Sequence, residues 1–129
     1  MRINLSSVLV DDQEKALKFY TEKLGFVLKT DIPVGEYRWL TVTSPEGVEG
    51  VELVLEPMGF SPARDFQQAL YAAGIPITAF LSVDIEKEYQ QLKQRGVVFR
   101  SEPQHLGAVI SVLFEDTCGN LVNLVQPVG

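Results

Sequence analysis

Two hydrophobic periods alternate along this chain, and they come twice in the same order. The segment Arg2–Val10 is rich in Ile, Leu and Val and predicts a strand. Asp11 and Asp12 follow, and either can cap a helix; Asp11 with Glu14 three residues on fits a capping box. Ala16, Leu17, Tyr20 and Leu24 then recur at helical spacing on one face, and Gly25 is the expected stop. Three strand candidates follow at Phe26–Thr30, Tyr37–Thr43 and Gly50–Glu56. They are separated by the turn-rich Asp31–Gly35 and Ser44–Gly47. From Ile77 the same series returns: a strand over Ile77–Val83, a cap at Asp84, and a helix with apolar Ile85, Tyr89 and Leu92. Gly96 ends that helix, and strands are predicted over Val97–Arg100, Ala108–Glu115 and Leu121–Gln126.

The two series superpose with an offset of 73 at Asp11/Asp84 and 71 at Gly25/Gly96 and Glu52/Asn123. A second helix two residues shorter than the first would absorb the difference. Each series therefore reads βαβββ, and the fold class expected is α+β. The division expected is a first module over 1–57, a bridging helix and loops over 58–76, and a second module over 77–129. The bridge opens with Ser61-Pro62, a good helix start, and Phe66, Ala69, Leu70 and Ala73 share one face.

Composition narrows the functional classes. A 129-residue chain with 46% hydrophobic and 22% charged residues suits a soluble folded protein. No window approaches the roughly 18 apolar residues that cross a bilayer, and the start lacks the pattern of a secretion signal. One cysteine, Cys118, leaves no internal disulfide and suits a reducing compartment, so the cytoplasm is the expected location. A net charge of −6 argues against nucleic acid and permits a cationic ligand.

The βαβββ repeat, Ala16-Leu17-Lys18-Phe19-Tyr20 followed by Leu24-Gly25-Phe26, and the turn Asp116 to Gly119-Asn120 resemble the vicinal oxygen chelate superfamily. That group contains glyoxalase I, bleomycin-resistance proteins, extradiol dioxygenases and epimerases. The resemblance implies tandem modules forming a curved-sheet half-barrel around an internal cavity. Metal-dependent members carry one ligand on the first and one on the last strand of each module. Those positions map here to Leu5, Glu52, Thr78 and Asn123, where the glyoxalase-like pattern has His or Gln, Glu, His and Glu. Leucine has no donor atom, and threonine and asparagine are weak neutral ligands. Transition metals want three or four His, Asp, Glu or Cys donors. The expectation is therefore no tightly bound metal or other cofactor, with at most weak divalent binding.

Glu52 stands between Val51 and Leu53, and alternation turns it away from both. A carboxylate in a partly dry pocket can pair with a cation or act as a general base; a solvated strand residue is the plainer alternative. Asn123 follows the same logic, as a ligand anchor or a partner within the sheet. Trp39, the single tryptophan, shares a face with Tyr37 and offers a stacking surface, or else packs in a core or interface. His105, the single histidine, falls in a predicted loop and is a candidate proton donor or a plain surface residue. The expected function is binding of a small organic molecule by Leu5, Trp39, Glu52, Thr78, His105 and Asn123, within a homodimer. The alternative is a lyase, isomerase or dioxygenase of the same superfamily with an atypical ligand set, for which Glu52 is the candidate catalytic base.

Overall fold

The computed structural model describes residues 1–128. The chain forms eight strands and three helices in the order β1 Leu5–Leu9, α1 Gln13–Lys18, β2 Val27–Val34, β3 Tyr37–Thr43, β4 Glu52–Glu56, α2 Ser61–Ala72, β5 Thr78–Leu81, α3 Ile85–Gln94, β6 Gln104–Leu106, β7 Val109–Glu115 and β8 Leu121–Pro127. Two compact units divide it, Met1–Phe66 and Gln67 onward, with α2 crossing the division. Each unit holds one four-stranded sheet, ordered β1-β4-β3-β2 in the first and β5-β8-β7-β6 in the second. In both, the first and fourth strands pair in parallel and the remaining pairs are antiparallel. The predicted βαβββ repeat is present.

In the first unit one sheet face packs under α1. Val8, Val10, Leu40, Val42 and Leu55 are buried there with Ala16, Phe19 and Tyr20. Gln13, the first residue of α1, stitches the helix to the sheet. Its Nε2 donates to the Arg38 and Leu55 carbonyls at 2.7 and 2.9 Å, and its Oε1 accepts from the Arg38 N–H at 3.0 Å. The amide thereby satisfies three backbone groups of β3 and β4 that burial would otherwise leave unpaired. In the second unit Ile85, Tyr89 and Leu92 of α3 are buried, as are Val112, Phe114, Val122 and Leu124 of the sheet.

Several details differ from the sequence expectation. Asp12, not Asp11, caps α1: its side chain accepts from the Lys15 N–H at 3.0 Å, while Asp11 pairs with Lys15 Nζ at 3.1 Å. Asp84 caps α3 as expected. Cap to cap the offset is thus 72, and 71 at the closing glycines. The first helix exceeds the second by one residue, not two. That residue is taken up because α1 runs on into a π-helical turn over Phe19–Lys23, where the wider ring admits an extra residue.

β2 does not stop at Thr30. It continues through the predicted turn to Val34, with an irregularity in its pairing between Leu28 and Thr30. Pro33 is tolerated because β2 is an edge strand. The predicted strand Val97–Arg100 is a single bridge from Phe99 to Phe114, and pairing with β7 resumes at Gln104 after Ser101-Glu102-Pro103. His105 consequently lies in strand β6, not in a loop. In α2 the buried side chain is Gln67, whereas Phe66 is exposed. Gln67 Nε2 donates to the Cys118 carbonyl at 3.1 Å and Asn120 Oδ1 at 3.0 Å. That contact needs Gly119: a Cβ there would come within 2.8 Å of the Gln67 amide, at φ +93. The buried Asp116 carboxylate holds the same turn by accepting from the Cys118 and Asn120 N–H groups and from Asn120 Nδ2.

On the first sheet Arg38 bridges Asp31 and Glu14, each at 2.7 Å. The hydrogen bond from Arg38 holds the Asp31 carboxyl below the usual aspartate range. A carboxyl whose pKa falls on folding adds stability above its unfolded value, near pH 4. That contribution is lost as pH falls through the lower, folded value. In urea unfolding, Asp31→Asn is therefore expected to be less stable than the parent at pH 7. The gap should shrink as pH drops below about 4, and a gap independent of pH would exclude this pairing as a contributor.

Candidate functional site

The first unit gathers three of the predicted residues on one sheet face. Leu5 of β1 and Glu52 of β4 are register partners, so their side chains leave the sheet on the same side. This is the face opposite α1. Thr41 of β3 pairs with Val54, two residues along β4 from Glu52, and its Oγ1 donates to Glu52 Oε1 at 2.7 Å. Trp39 precedes Thr41 by two positions and shares its face, across from Ile32 of β2. Leu5 is 46% and Trp39 41% exposed; Glu52 is half-buried and Thr41 fully buried. An aliphatic side chain, an indole and an oriented carboxylate thus stand on one surface.

The second unit distributes its candidates differently. Thr78 pairs with Val122, whereas Asn123 pairs with Ala79 and, across β7, with Leu113. Successive residues alternate faces, so Thr78 joins the side of Val122 and Phe114 that packs under α3, and Asn123 points the other way. His105 pairs with Ile110, itself the partner of Gln126, and belongs to Thr78's side of the sheet. It is exposed. Asn123 therefore has neither Thr78 nor His105 beside it on its face.

Asn123 carries a local anomaly. Its Oδ1 is buried and accepts no hydrogen bond among the described residues. On the same face Glu115, two positions from Leu113, is engaged. Tyr71 of α2 donates to Glu115 Oε1 at 2.5 Å, and Arg100 pairs with Oε2 at 3.0 Å while stacking over the Tyr71 ring. The Glu115 carboxylate keeps the Tyr71 phenol protonated above its ordinary range and raises the Arg100 guanidinium. Among the described residues no three His, Cys, Asp or Glu side chains are grouped so as to share a metal ion.

The model of the Glyoxalase/Bleomycin resistance protein/Dioxygenase superfamily matches residues 2–124. The chain belongs to this superfamily. It is 48% identical to the uncharacterized protein YurT of Bacillus subtilis (strain 168), over 98% of this chain and 99% of that protein. Among solved structures it resembles UcmS2, with 32% identity, a TM-score of 0.81 and 97% of both chains covered. It also resembles TnmS3, an antibiotic binding protein from Streptomyces sp. CB03234, with 30% identity and a TM-score of 0.74 over 98% of this chain and 96% of that one. The two curved four-stranded sheets are those of this glyoxalase-type fold. No helix among the described residues is long and apolar enough to cross a membrane.

One residue of this superfamily member escaped the sequence reading. Thr41 alternates with Leu40 and Val42 and so shares the face of Trp39, yet nothing in the chain signals that its hydroxyl meets Glu52. The unpaired Asn123 acceptor has a measurable consequence. Removing a buried unsatisfied acceptor relieves a desolvation penalty of about 1–3 kcal/mol, offset by the imperfect fit of the replacement. Asn123→Leu is expected to be as stable as the parent or up to about 1 kcal/mol more stable in urea unfolding. Destabilisation by about 2 kcal/mol would mean that the amide is a structural partner.

Proposed function

We propose that this superfamily member binds a small organic molecule against the face of the first sheet that turns away from α1, with no tightly bound metal. The observation that carries the reading is the register pair Leu5–Glu52. At two positions where metal-dependent relatives carry ligands, this chain has an aliphatic side chain beside a single carboxylate. Thr78, a neutral oxygen at best, stands with Val122, and Asn123 offers one more neutral oxygen. Such a donor set fits a transition metal poorly. It suits a mostly apolar guest held by a few polar anchors. Leu5 and Trp39 supply the apolar contact and Glu52 the anchor; Asn123 is an acceptor on the sheet of the second unit. The description of TnmS3 as antibiotic binding supports the same class of ligand for this chain.

Cytoplasmic location belongs to the same reading, supported by the single cysteine, Cys118, which leaves no internal disulfide. So does a homodimer, the commonest assembly of soluble chains.

A panel of polycyclic aromatic antibiotics, screened by quenching of the single tryptophan, tests the reading. For any compound that binds the parent, Trp39→Ala read by calorimetry and Glu52→Gln read by quenching are each expected to weaken affinity about tenfold, or 1.4 kcal/mol. Both should leave urea stability within about 0.5 kcal/mol, as for half-exposed sites away from the core. Unchanged affinity in both variants would overturn the assignment of these anchors. Elemental analysis of protein dialysed without chelator is expected to find substoichiometric transition metal. One equivalent of retained zinc, nickel, manganese or iron would overturn the metal-free part of the proposal.

A further inference from the structure

The face of the first sheet that carries Leu5 and Glu52 is chemically one-sided. Its paired strand positions that carry charge are Glu52 and Glu56; Lys29 falls at the irregularity of β2 between Leu28 and Thr30, where the pairing gives it no face. Among the described residues no basic side chain pairs with either acid. The lysines and arginines of this unit that do form ion pairs, Lys15 and Arg38, spend them on Asp11, Asp31 and Glu14. A half-buried carboxylate without a counter-ion is costly, and the cost falls when a cation arrives. Trp39 and Tyr37, 41% and 38% exposed on the same face, add two π surfaces of the kind that attract a positive charge.

The hydrogen bond from Thr41 narrows this further. Thr41 is fully buried and its hydroxyl occupies Glu52 Oε1, so the second carboxylate oxygen is the one left to meet a guest. Resting on the small-molecule reading above, we infer that this face takes a planar organic cation whose charge meets the free oxygen of Glu52, and that Thr41 is the positioning residue behind the selectivity. An anionic guest would meet the repulsion of two acids, which the neutral N–H of Trp39 and O–H of Tyr37 do not cancel.

Three probes of one shape and different charge test this at pH 8: N-methylacridinium, neutral acridine and acridine-9-carboxylate, titrated against the full chain by equilibrium dialysis. The cation is expected to bind about tenfold more tightly than acridine, with the carboxylate weakest. Glu52→Gln should abolish the preference for the cation. Thr41→Val, which keeps side-chain volume and removes the hydroxyl, should cut the ratio of cation to acridine affinity several-fold. Thr41→Ser should restore the ratio, a recovery that a purely structural role would not produce. Equal binding of cation and acridine by the parent overturns the inferred ligand class. A ratio unchanged in a folded Thr41→Val protein overturns the role of Thr41. If none of the three probes binds while a neutral antibiotic from the screening panel does, the cation inference fails and the small-molecule reading stands; if nothing binds, both fall.

Discussion

Register in the parallel strand pairs governs what this protein can present. Each unit closes its sheet by laying the fourth strand beside the first, and the intervening helix makes that crossover possible. Because side chains alternate with a period of two, the parallel register decides which residues share a surface. In the first unit it sets Leu5 against Glu52. In the second it sets Thr78 against Val122 and leaves Asn123 against Ala79. The parallel partners are 47 residues apart in the first copy and 44 in the second, an odd difference that puts Thr78 and Asn123 on opposite faces. The helices enforce this register: Gln13 in the first unit, and in the second the Ile85 N–H donating to Gln126 Oε1 at 2.7 Å, tie each helix start to its sheet.

Much of this architecture is legible in the order of residues, because it rests on local signals. β3 begins and ends at Tyr37 and Thr43 as the alternation predicts, and Ser61-Pro62 opens α2. Asp84 caps α3 because an aspartate before a helical run offers an acceptor to a free N–H. Less legible are features set by non-local pairing. Asp11 and Asp12 both stand where a cap can form, and it is Asp12 that accepts from the Lys15 N–H. The run Asp31–Val34 has turn composition, yet pairing with Leu40, Trp39, Arg38 and Tyr37 makes it strand. His105 follows Pro103 in polar surroundings, and the hairpin with Val109–Ser111 is what extends it.

The site divides along the same line. Leu5, Glu52 and Trp39 were readable together, because their grouping needs only alternation and the repeat. The face of Thr78 was not, because it depends on where β5 meets β8. Counting from Asp11 instead of the true cap at Asp12 misplaced the offset by one, and in a strand one residue is a change of face. The π turn at Phe19–Lys23 absorbs the residue that made the two copies look further out of step than they are. Phe66 and Gln67 show the converse error. Hydrophobicity favoured Phe66 for burial, but the glutamine is buried because its amide meets the Cys118 carbonyl and Asn120.

The distribution of satisfied and unsatisfied polar groups separates structure from function more sharply than burial does. Gln13, Gln67, Asp116 and Asn120 are all buried, and all are hydrogen-bonded; each fixes a helix or a turn. Two polar groups break that pattern. Glu52 has a hydroxyl partner and no counter-ion, and Asn123 Oδ1 has no partner among the described residues. Both lie on faces turned away from the helix of their own unit, and both occupy the closing strand of a module. A leucine at Asn123 would cost no hydrogen bond to Oδ1, and one at Glu52 would cost only that from the Thr41 hydroxyl. Proteins that keep such local disadvantages keep them where something other than folding uses them. The two groups also agree in chemistry, because each offers an oxygen acceptor that the chain does not fill. A guest at either group must bring donors or positive charge, and for Glu52 that requirement follows from the same register that put it beside Leu5.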